Sequence, residues 1–281
     1  MKTGMEAVLP VLACPVCAEK LTRQDGIVGR GVVGCRAGHR FDIARQGYLT
    51  LLGPGSRTDT GDTADMVAAR QEFLDVGHFR PLTEAIVAGA AGGPVLDLGA
   101  GTGHHLRAVV EERGGTGLAV DTSKFAARRA ARAHARVGSV VADAWSRLPI
   151  RSGSIGTVLN VLAPRDPAEL ARILAPGGRA VIVTPTPEHQ IELRERIGLL
   201  AVDEGKADRL ADTVGPRFRP LDRITVRRSM RLTRDDVDRL IRMGPSAYHL
   251  PDDRRRAAVA ALADVTEVTL AVTISVFATP D

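Results

Sequence analysis

The ten residues Pro94-Val-Leu-Asp-Leu-Gly-Ala-Gly-Thr-Gly103 constrain the fold of this 281-residue chain more than any other stretch. A short apolar run is followed at once by three glycines, and then by residues 104–113 with helical apolar spacing. A strand that runs through glycines into a helix is the first unit of a nucleotide-type α/β sheet, because glycine lets backbone and ligand approach closely at the strand's carboxyl end. The alternation then continues. Gly117-Leu-Ala-Val-Asp121 predicts the next strand, and residues 123–135 predict a helix capped by Ser123. Strands are expected over 138–142, 155–162 and 179–184, the last after the turn Pro176-Gly-Gly178. Strand alternating with helix implies a parallel, doubly wound α/β sheet.

The glycine spacing narrows the ligand. Dinucleotide sites use G-x-G-x-x-G, in which the third glycine admits the pyrophosphate, and that position here is His104. The glycines are instead Gly99, Gly101 and Gly103, a form that resembles the first motif of class I methyltransferases, whose cofactor S-adenosylmethionine has no pyrophosphate. Asp121 stands twenty positions after Gly101, where a carboxylate can accept both ribose hydroxyls, and Asp97 and Asp143 mark two further strand ends. The plainer alternatives are helix capping for Asp121 and Asp143, and orientation of the glycine loop through its amides for Asp97. His104 and His105 read as exposed residues of a first helical turn.

The N-terminal segment is of another kind. All three cysteines lie in the first 35 residues, as Cys14-Pro-Val-Cys17 and Cys35-Arg-Ala-Gly-His39. Two close-spaced ligand pairs separated by a short insertion predict a zinc ribbon in which Cys14, Cys17, Cys35 and His39 converge on one tetrahedral ion. Three unrelated thiols are the alternative, but one disulfide would leave an odd cysteine. Four protein ligands close the coordination shell, so the ion is expected to be structural Zn2+ that staples a segment poor in large apolar side chains. Gly34 and Gly38 suit the second turn, and residues 21–33 suit a small hairpin.

The expected division is a zinc-binding domain over 1–52, a flexible linker over 53–63 rich in turn formers, and a larger domain over 64–281. Ala64–Val76 has helical spacing with Gly77 as C-cap, residues 233–243 form a capped helix, and 224–232 with 265–277 suit a closing antiparallel hairpin. Met243-Gly-Pro-Ser246 after that helix reads equally as a cleft wall or a simple turn. Charged residues at 25% and hydrophobic residues at 44% exclude a compositionally disordered chain. The N-terminus lacks a basic run followed by an apolar core, and no stretch approaches the ~18 apolar residues of a membrane span, so a cytoplasmic protein with no membrane partner is expected. The net charge of +5, carried mostly by arginine, permits a polyanionic partner without identifying one. Arg30, Arg36, Arg40 and Arg45 place part of that charge on the zinc segment.

Over essentially its full length the chain resembles the large-subunit rRNA guanine-N1 methyltransferases of the RlmA type. The resemblance is carried by the Cys14/Cys17/Cys35/His39 set, Phe41-Asp-Ile-Ala-Arg-Gln-Gly-Tyr48, Asp65-Met-Val-Ala-Ala-Arg70, Gly77-His-Phe79, the glycine loop, Asn160-Val-Leu-Ala-Pro-Arg165, Thr184-Pro185 with His189, and Met243-Gly-Pro-Ser246. It implies a class I (Rossmann-like) S-adenosylmethionine methyltransferase domain with a small N-terminal zinc-ribbon domain. It further implies 23S rRNA as partner, a homodimer that forms a basic RNA cleft, and resistance to tylosin-type macrolides. Phe79, Gly101, Thr102 and His189 map near the cofactor, with Phe79 standing where the family often carries Tyr. The cofactor set expected from motif and resemblance together is Phe79, Asp97, Gly99, Gly101, Thr102, Gly103, Asp121, Asp143 and His189. No residue stands out as a catalytic base, because residues 160–164 differ from the Asn/Asp-Pro-Pro-aromatic motif of amino-group methylation. Two other functions fit parts of the pattern: a small-molecule methyltransferase, which has no need of the zinc ribbon, and a noncatalytic RNA-binding protein on a methyltransferase fold.

Overall fold

The computed structural model describes residues 4–24, 31–53, 55–57, 61–200, 213–214 and 217–280. The N-terminal segment contains helix α1 (Gly4–Val8), strands β1 (Thr22–Gln24), β2 (Val32–Gly34) and β3 (Arg40–Asp42), and strand β4 (Tyr48–Thr50). Next come α2 (Ala64–Val76), α3 (Arg80–Gly89), β5 (Val95–Leu98), α4 (His104–Arg113), β6 (Gly117–Asp121), α5 (Lys124–Ala130) and β7 (Val137–Val141). The remainder is β8 (Ile155–Val161), α6 (Pro167–Ile173), β9 (Leu174–Pro185), α7 (Ile191–Ile197), β10 (Arg219–Thr233), α8 (Arg234–Arg242), α9 (Asp252–Ala260) and β11 (Val265–Ala278). Among the described residues no helix is long and apolar enough to cross a membrane.

β4 to β9 contribute six parallel strands to an eight-stranded sheet of order β10-β11-β9-β8-β5-β6-β7-β4, and β10 and β11 close it as an antiparallel pair. β5 has β6 on one side and β8 on the other, so the winding reverses at the carboxyl end of β5, where ligands bind in such sheets. Alternation along each strand feeds two cores. Ala119, Val181 and Val183 pack with Phe73, Ile86 and Val110 on one face, whereas Leu118, Val120 and Ile182 pack on the other.

Local signals set the helix ends where they were expected. Thr63 accepts from the Met66 amide at the start of α2, and Gly77 ends that helix in the left-handed region at φ 92°. Thr233 and Asp236 form a reciprocal capping box on α8. α5 stops at Ala130, short of the expected 135, and Pro176-Gly-Gly178 lies inside the long strand β9, where the β8–β9 register shifts, rather than before it.

The N-terminal segment, expected as a zinc-binding domain over 1–52, is joined to the large sheet by its last strand. β4 pairs parallel with β7, Tyr48 opposite Ser139 and Thr50 opposite Val141, and so forms the outermost strand of the large sheet. α1 presses on β7 so closely that a Cβ on Gly4 would fall 2.0 Å from the Val137 carbonyl oxygen. Leu12, Leu21, Val33 and Leu49 share one core with Leu96, Leu118 and Val140. The physical reason is size: a three-stranded meander of three-residue strands cannot enclose these side chains by itself. Pro54 and residues 58–60 of the expected linker, and Arg30, lie outside the described residues.

Candidate functional site

The turns at Cys14–Cys17 and Cys35–His39 bring four donors together. The Ala18 amide donates to the Cys14 carbonyl and the Gly38 amide to the Cys35 carbonyl, closing both turns, with Gly38 at φ 89°. The ligand atoms of Cys14, Cys17, Cys35 and His39 all lie within 4.8 Å of one another. Cys17 Sγ is 3.6 Å from Cys35 Sγ, and His39 Nδ1 is 3.6 Å from Cys14 Sγ and 3.3 Å from Cys35 Sγ. Zinc bonds of about 2.3 Å to sulfur and 2.0 Å to nitrogen span tetrahedral edges of about 3.5–3.8 Å, so the donor set fits zinc. All four predicted ligands meet. Arg36, Arg40 and Arg45 of the same segment are exposed.

A cleft of about 780 Å³ opens at the carboxyl ends of β5, β6, β7 and β8. Of the nine residues expected there, Phe79, Asp97, Gly99, Thr102, Asp121, Asp143 and His189 line it. Gly101 and Gly103 do not line it, but they shape the loop. Gly101 holds φ 53° and Gly103 φ 77°, and a Cβ on Gly103 would press on Ala133 at 3.1 Å. A Cβ on Gly99 would meet that of Ala163 at 2.5 Å, so the glycine loop and the loop after β8 touch through a residue without a side chain.

The loop is oriented by Asp121 and not by Asp97. Asp121 Oδ2 accepts from the Gly101 amide at 2.8 Å, and Oδ1 accepts from the Ser123 amide at 2.8 Å. Burial raises the Asp121 carboxyl above its ordinary value, against the opposing pull of those two amides. Asp97 is buried with Oδ1 unpartnered, and burial together with the nearby Asp121 pushes it up to about 7. Thr102 Oγ1 is likewise buried without a partner. Orphaned groups of this kind on a cleft wall fit a polar ligand that satisfies them. Asp143 receives the amides of Arg57 and Trp145 and the Ser146 hydroxyl, which outweigh its partial burial and hold it below the ordinary carboxylate range.

His189 is buried, and the Ala271 amide donates to its Nδ1 at 3.2 Å. Burial, reinforced by Arg194, drives its pKa down to about 4, so the ring is neutral at physiological pH, and its Nε2 lies 3.1 Å from the Gln190 side-chain nitrogen. Phe79 is buried edge-on to Phe73 at 5.2 Å. His104 and His105, expected to be exposed, are half-buried and line the cleft. The Thr83 hydroxyl lies 3.0 Å from His105 Nδ1, and burial, His104 and Arg70 hold that ring down to about 3. Met243-Gly-Pro-Ser246 lines the cleft too.

Asn160 is a brace. Its amide donates to the carbonyls of Leu98 and Pro164 and its oxygen accepts from Arg165, which fixes the loop after β8 with Leu162 at φ 54°. Sequence reasoning assigned no role to Asp62, Arg70, Trp145 or Tyr248, all of which line the cleft. Asp62 sat in a segment read as linker, and Arg70 on the polar side of a helix; neither position has a local pattern that marks a ligand site.

Comparison with known proteins agrees with both halves of the chain. Residues 12–55 match the zinc-ribbon family model described as RlmA, N-terminal, and residues 95–178 match a Methyltransferase domain model. The 23S rRNA (guanine(748)-N(1))-methyltransferase of Streptomyces fradiae is 45% identical over 96% of this chain and 97% of its own length. A protein of Micromonospora griseorubida assigned as a 23S rRNA (guanine-N(1)-)-methyltransferase is also 45% identical, over 95% of this chain and 97% of its own. Among solved structures, a chain of the complex between the Haloferax volcanii Trm112 methyltransferase activator and a methyltransferase shares the fold at a TM-score of 0.51 and 20% identity, over 78% of this chain and 99% of its own. With a structural zinc site, a class I cofactor fold and relatives matched from end to end, the chain belongs to the 23S rRNA (guanine-N1)-methyltransferase family.

Proposed function

We propose that this protein transfers the methyl group of S-adenosylmethionine to N1 of a guanine in 23S rRNA, in the cytoplasm. The observation that carries the reading is the 45% identity to a 23S rRNA (guanine(748)-N(1))-methyltransferase along 96% of the chain. The cleft supports it. Asp121 lies beside the glycine loop with carboxylate lone pairs left for ribose hydroxyls, and Asp143 serves the adenine end. Asp97, Gly99 and Thr102 line the sulfonium side on a loop shaped by Gly101 and Gly103, with Phe79 and His189 closing the wall.

S-adenosylmethionine, when bound, supplies an electrophilic methyl carbon. Guanine N1 would receive that methyl group and give up its proton to water, while the residues of the cleft hold the two molecules in place. The protein's main task is alignment of donor and acceptor in line. His189 is not free to take up that proton, because its Nδ1 already accepts the Ala271 amide and its Nε2 is occupied by the Gln190 side-chain amide at 3.1 Å. Trp145, 62% exposed at the cleft wall, and the exposed Tyr248 offer flat faces to nucleotide bases. The zinc module adds Arg36, Arg40 and Arg45 for phosphates.

N1 methylation blocks Watson–Crick pairing, so reverse transcription of 23S rRNA treated with protein and S-adenosylmethionine should stop beside one guanine. Unstopped transcripts from a preparation that binds the cofactor would favour a small-molecule acceptor. Two finer points follow from the resemblance: pairing of two subunits around the RNA, checked by sedimentation, and protection from tylosin-type macrolides, checked by growth of a susceptible host expressing the gene.

A further inference from the structure

Residues 122–142, which hold α5 and β7, contain Lys124, Arg128, Arg129, Arg132 and Arg136 and no acidic residue. Those five positive charges equal the net charge of +5 on the whole chain. α5 buries Ala126, Ala127 and Ala130 and turns Lys124, Phe125, Arg128 and Arg129 to solvent. The turn that follows is closed by the Arg132 amide donating to the Arg129 carbonyl, and it carries the exposed Arg132 one helical turn beyond Arg128.

Exposed arginines on other helices of this protein are matched by acids one turn away: Arg80 by Glu84, Arg107 by Glu111 and Arg242 by Asp238. Among the described residues, Lys124, Arg128, Arg129 and Arg132 have no ion-pair partner. Like charges one turn apart repel, and a polyanion laid along them relieves that repulsion.

The position of α5 adds a second observation. At its carboxyl end a Cβ on Gly47 would lie 3.7 Å from the Ala131 Cβ, so the turn between β3 and β4, with its exposed Arg45, stands beside the end of the arginine row. At its amino end Ser123 caps the helix and donates its hydroxyl to the Asp62 carbonyl at 2.6 Å, while the Tyr248 hydroxyl donates to the Gly61 carbonyl at 3.2 Å. Gly61, Asp62 and Tyr248 line the cleft. The row from Lys124 to Arg132 therefore bridges the zinc module and the cleft rim over about 12 Å. A second copy seated on this face about a two-fold axis would set arginine against arginine. A phosphate backbone instead presents regularly spaced oxyanions, which guanidinium groups bind in bidentate form.

We propose that the exposed face of α5 binds the phosphate backbone of 23S rRNA through Arg128, Arg129 and Arg132, and leads the RNA strand from the zinc module to the cleft. This assignment rests on the reading of 23S rRNA as the substrate.

The test is titration of in-vitro-transcribed 23S rRNA into the full-length, zinc-loaded protein across a range of salt. Replacing Arg128, Arg129 and Arg132 together by Ala should weaken binding at least tenfold at about 0.1 M salt and remove about two units from the slope of log affinity against log salt, because each phosphate contact contributes about 0.7–0.9. Affinity for S-adenosylhomocysteine should match the parent's, and methylation should show a raised KM for RNA with kcat retained. Replacing the same three residues by Lys keeps the charge and should keep the slope. Arg80→Ala combined with Arg107→Ala removes two arginines already matched by acids and should leave the slope unchanged. An equal loss in that control would mean that the RNA senses only net charge and would overturn the proposal. So would a parental slope in the triple alanine variant, or parental RNA affinity with altered sedimentation, which would assign the face to a subunit contact. The single changes Arg128→Gln and Arg132→Gln should each remove slightly under one unit of slope, and parental slopes in both would overturn the proposal even if the triple variant did not fold. A parent protein that binds no 23S rRNA and produces no reverse-transcription stop would remove the substrate reading itself, so the parent titration tells the two failures apart.

Discussion

The zinc cluster and the cofactor cleft both hold polar groups at the ends of strands, but they are assembled over very different lengths of chain. The four metal donors lie within 25 positions, on two tight turns. The cleft joins Arg70 to Met243 across 173 positions and Tyr248 to Gly61 across 187. A local site is held by a few turns and an ion, and needs little core of its own. A site made from distant segments inherits its geometry from the sheet beneath it. The difference teaches where each region is vulnerable: the first to loss of one ligand, the second to changes in charge and close packing.

The strongest attack on this contrast is loss of the metal. Cys14→Ser should abolish zinc binding and lower stability by about 5 kcal/mol or more, given what structural zinc contributes to small modules. Because Leu12, Leu21 and Leu49 share a core with Leu96 and Leu118, scanning calorimetry should show the loss in the main transition. An unchanged main transition would make the two regions energetically separate after all.

Asp97 tests the buried side of the cleft. Its carboxyl is raised from 3.8 to about 7, so the folded state binds the proton more tightly than the unfolded chain. The stability this contributes is fully present below the unfolded value and is lost as pH rises through the folded one. Asp97→Asn should therefore stabilise the cofactor-free protein little at low pH and by about 2–4 kcal/mol near pH 8. Melting curves of both proteins across that range check the sign; a constant difference would place the effect elsewhere than in the proton.

Asp121 sharpens the comparison from the ligand side. Asp121→Ala removes the proposed ribose contacts and should weaken cofactor binding by about 1.5–3 kcal/mol. Unaltered affinity would leave the carboxylate with only its local work on the Gly101 and Ser123 amides.

The smallest effect is expected at the exposed rim of the metal module. Replacing Arg36 and Arg40 together by Ala should lower RNA affinity modestly and flatten its salt dependence by roughly one unit of slope per lost phosphate contact. Cofactor affinity should not change. An RNA slope equal to the parent's in the folded double variant would move the phosphate surface onto the larger domain, with the exposed Arg227, Arg228 and Arg231 of β10 the next candidates.

Much of this protein was written locally. The zinc ligands, the glycine loop, the capping of α2 and α8, and the strands β5 to β9 depend on residues close in sequence, whose spacing or conformational freedom is itself the cause of the structure. The small helices α3, α7 and α9 have no side-chain cap, since short amphipathic helices gain their stability from the surface they cover, whereas Asp166 and Pro167 mark the start of α6. The tertiary structure alone decided three things. It made β4 part of the large sheet, because strand pairing is a contact between distant segments that no local period announces. It turned His104, His105 and His189 inward, because exposure depends on what other elements cover. It set Asp62 and Arg70 as a charged pair on the glycine loop, because electrostatic partners are chosen by proximity in space, and only the packing of α2 beside the carboxyl end of β5 brings them there.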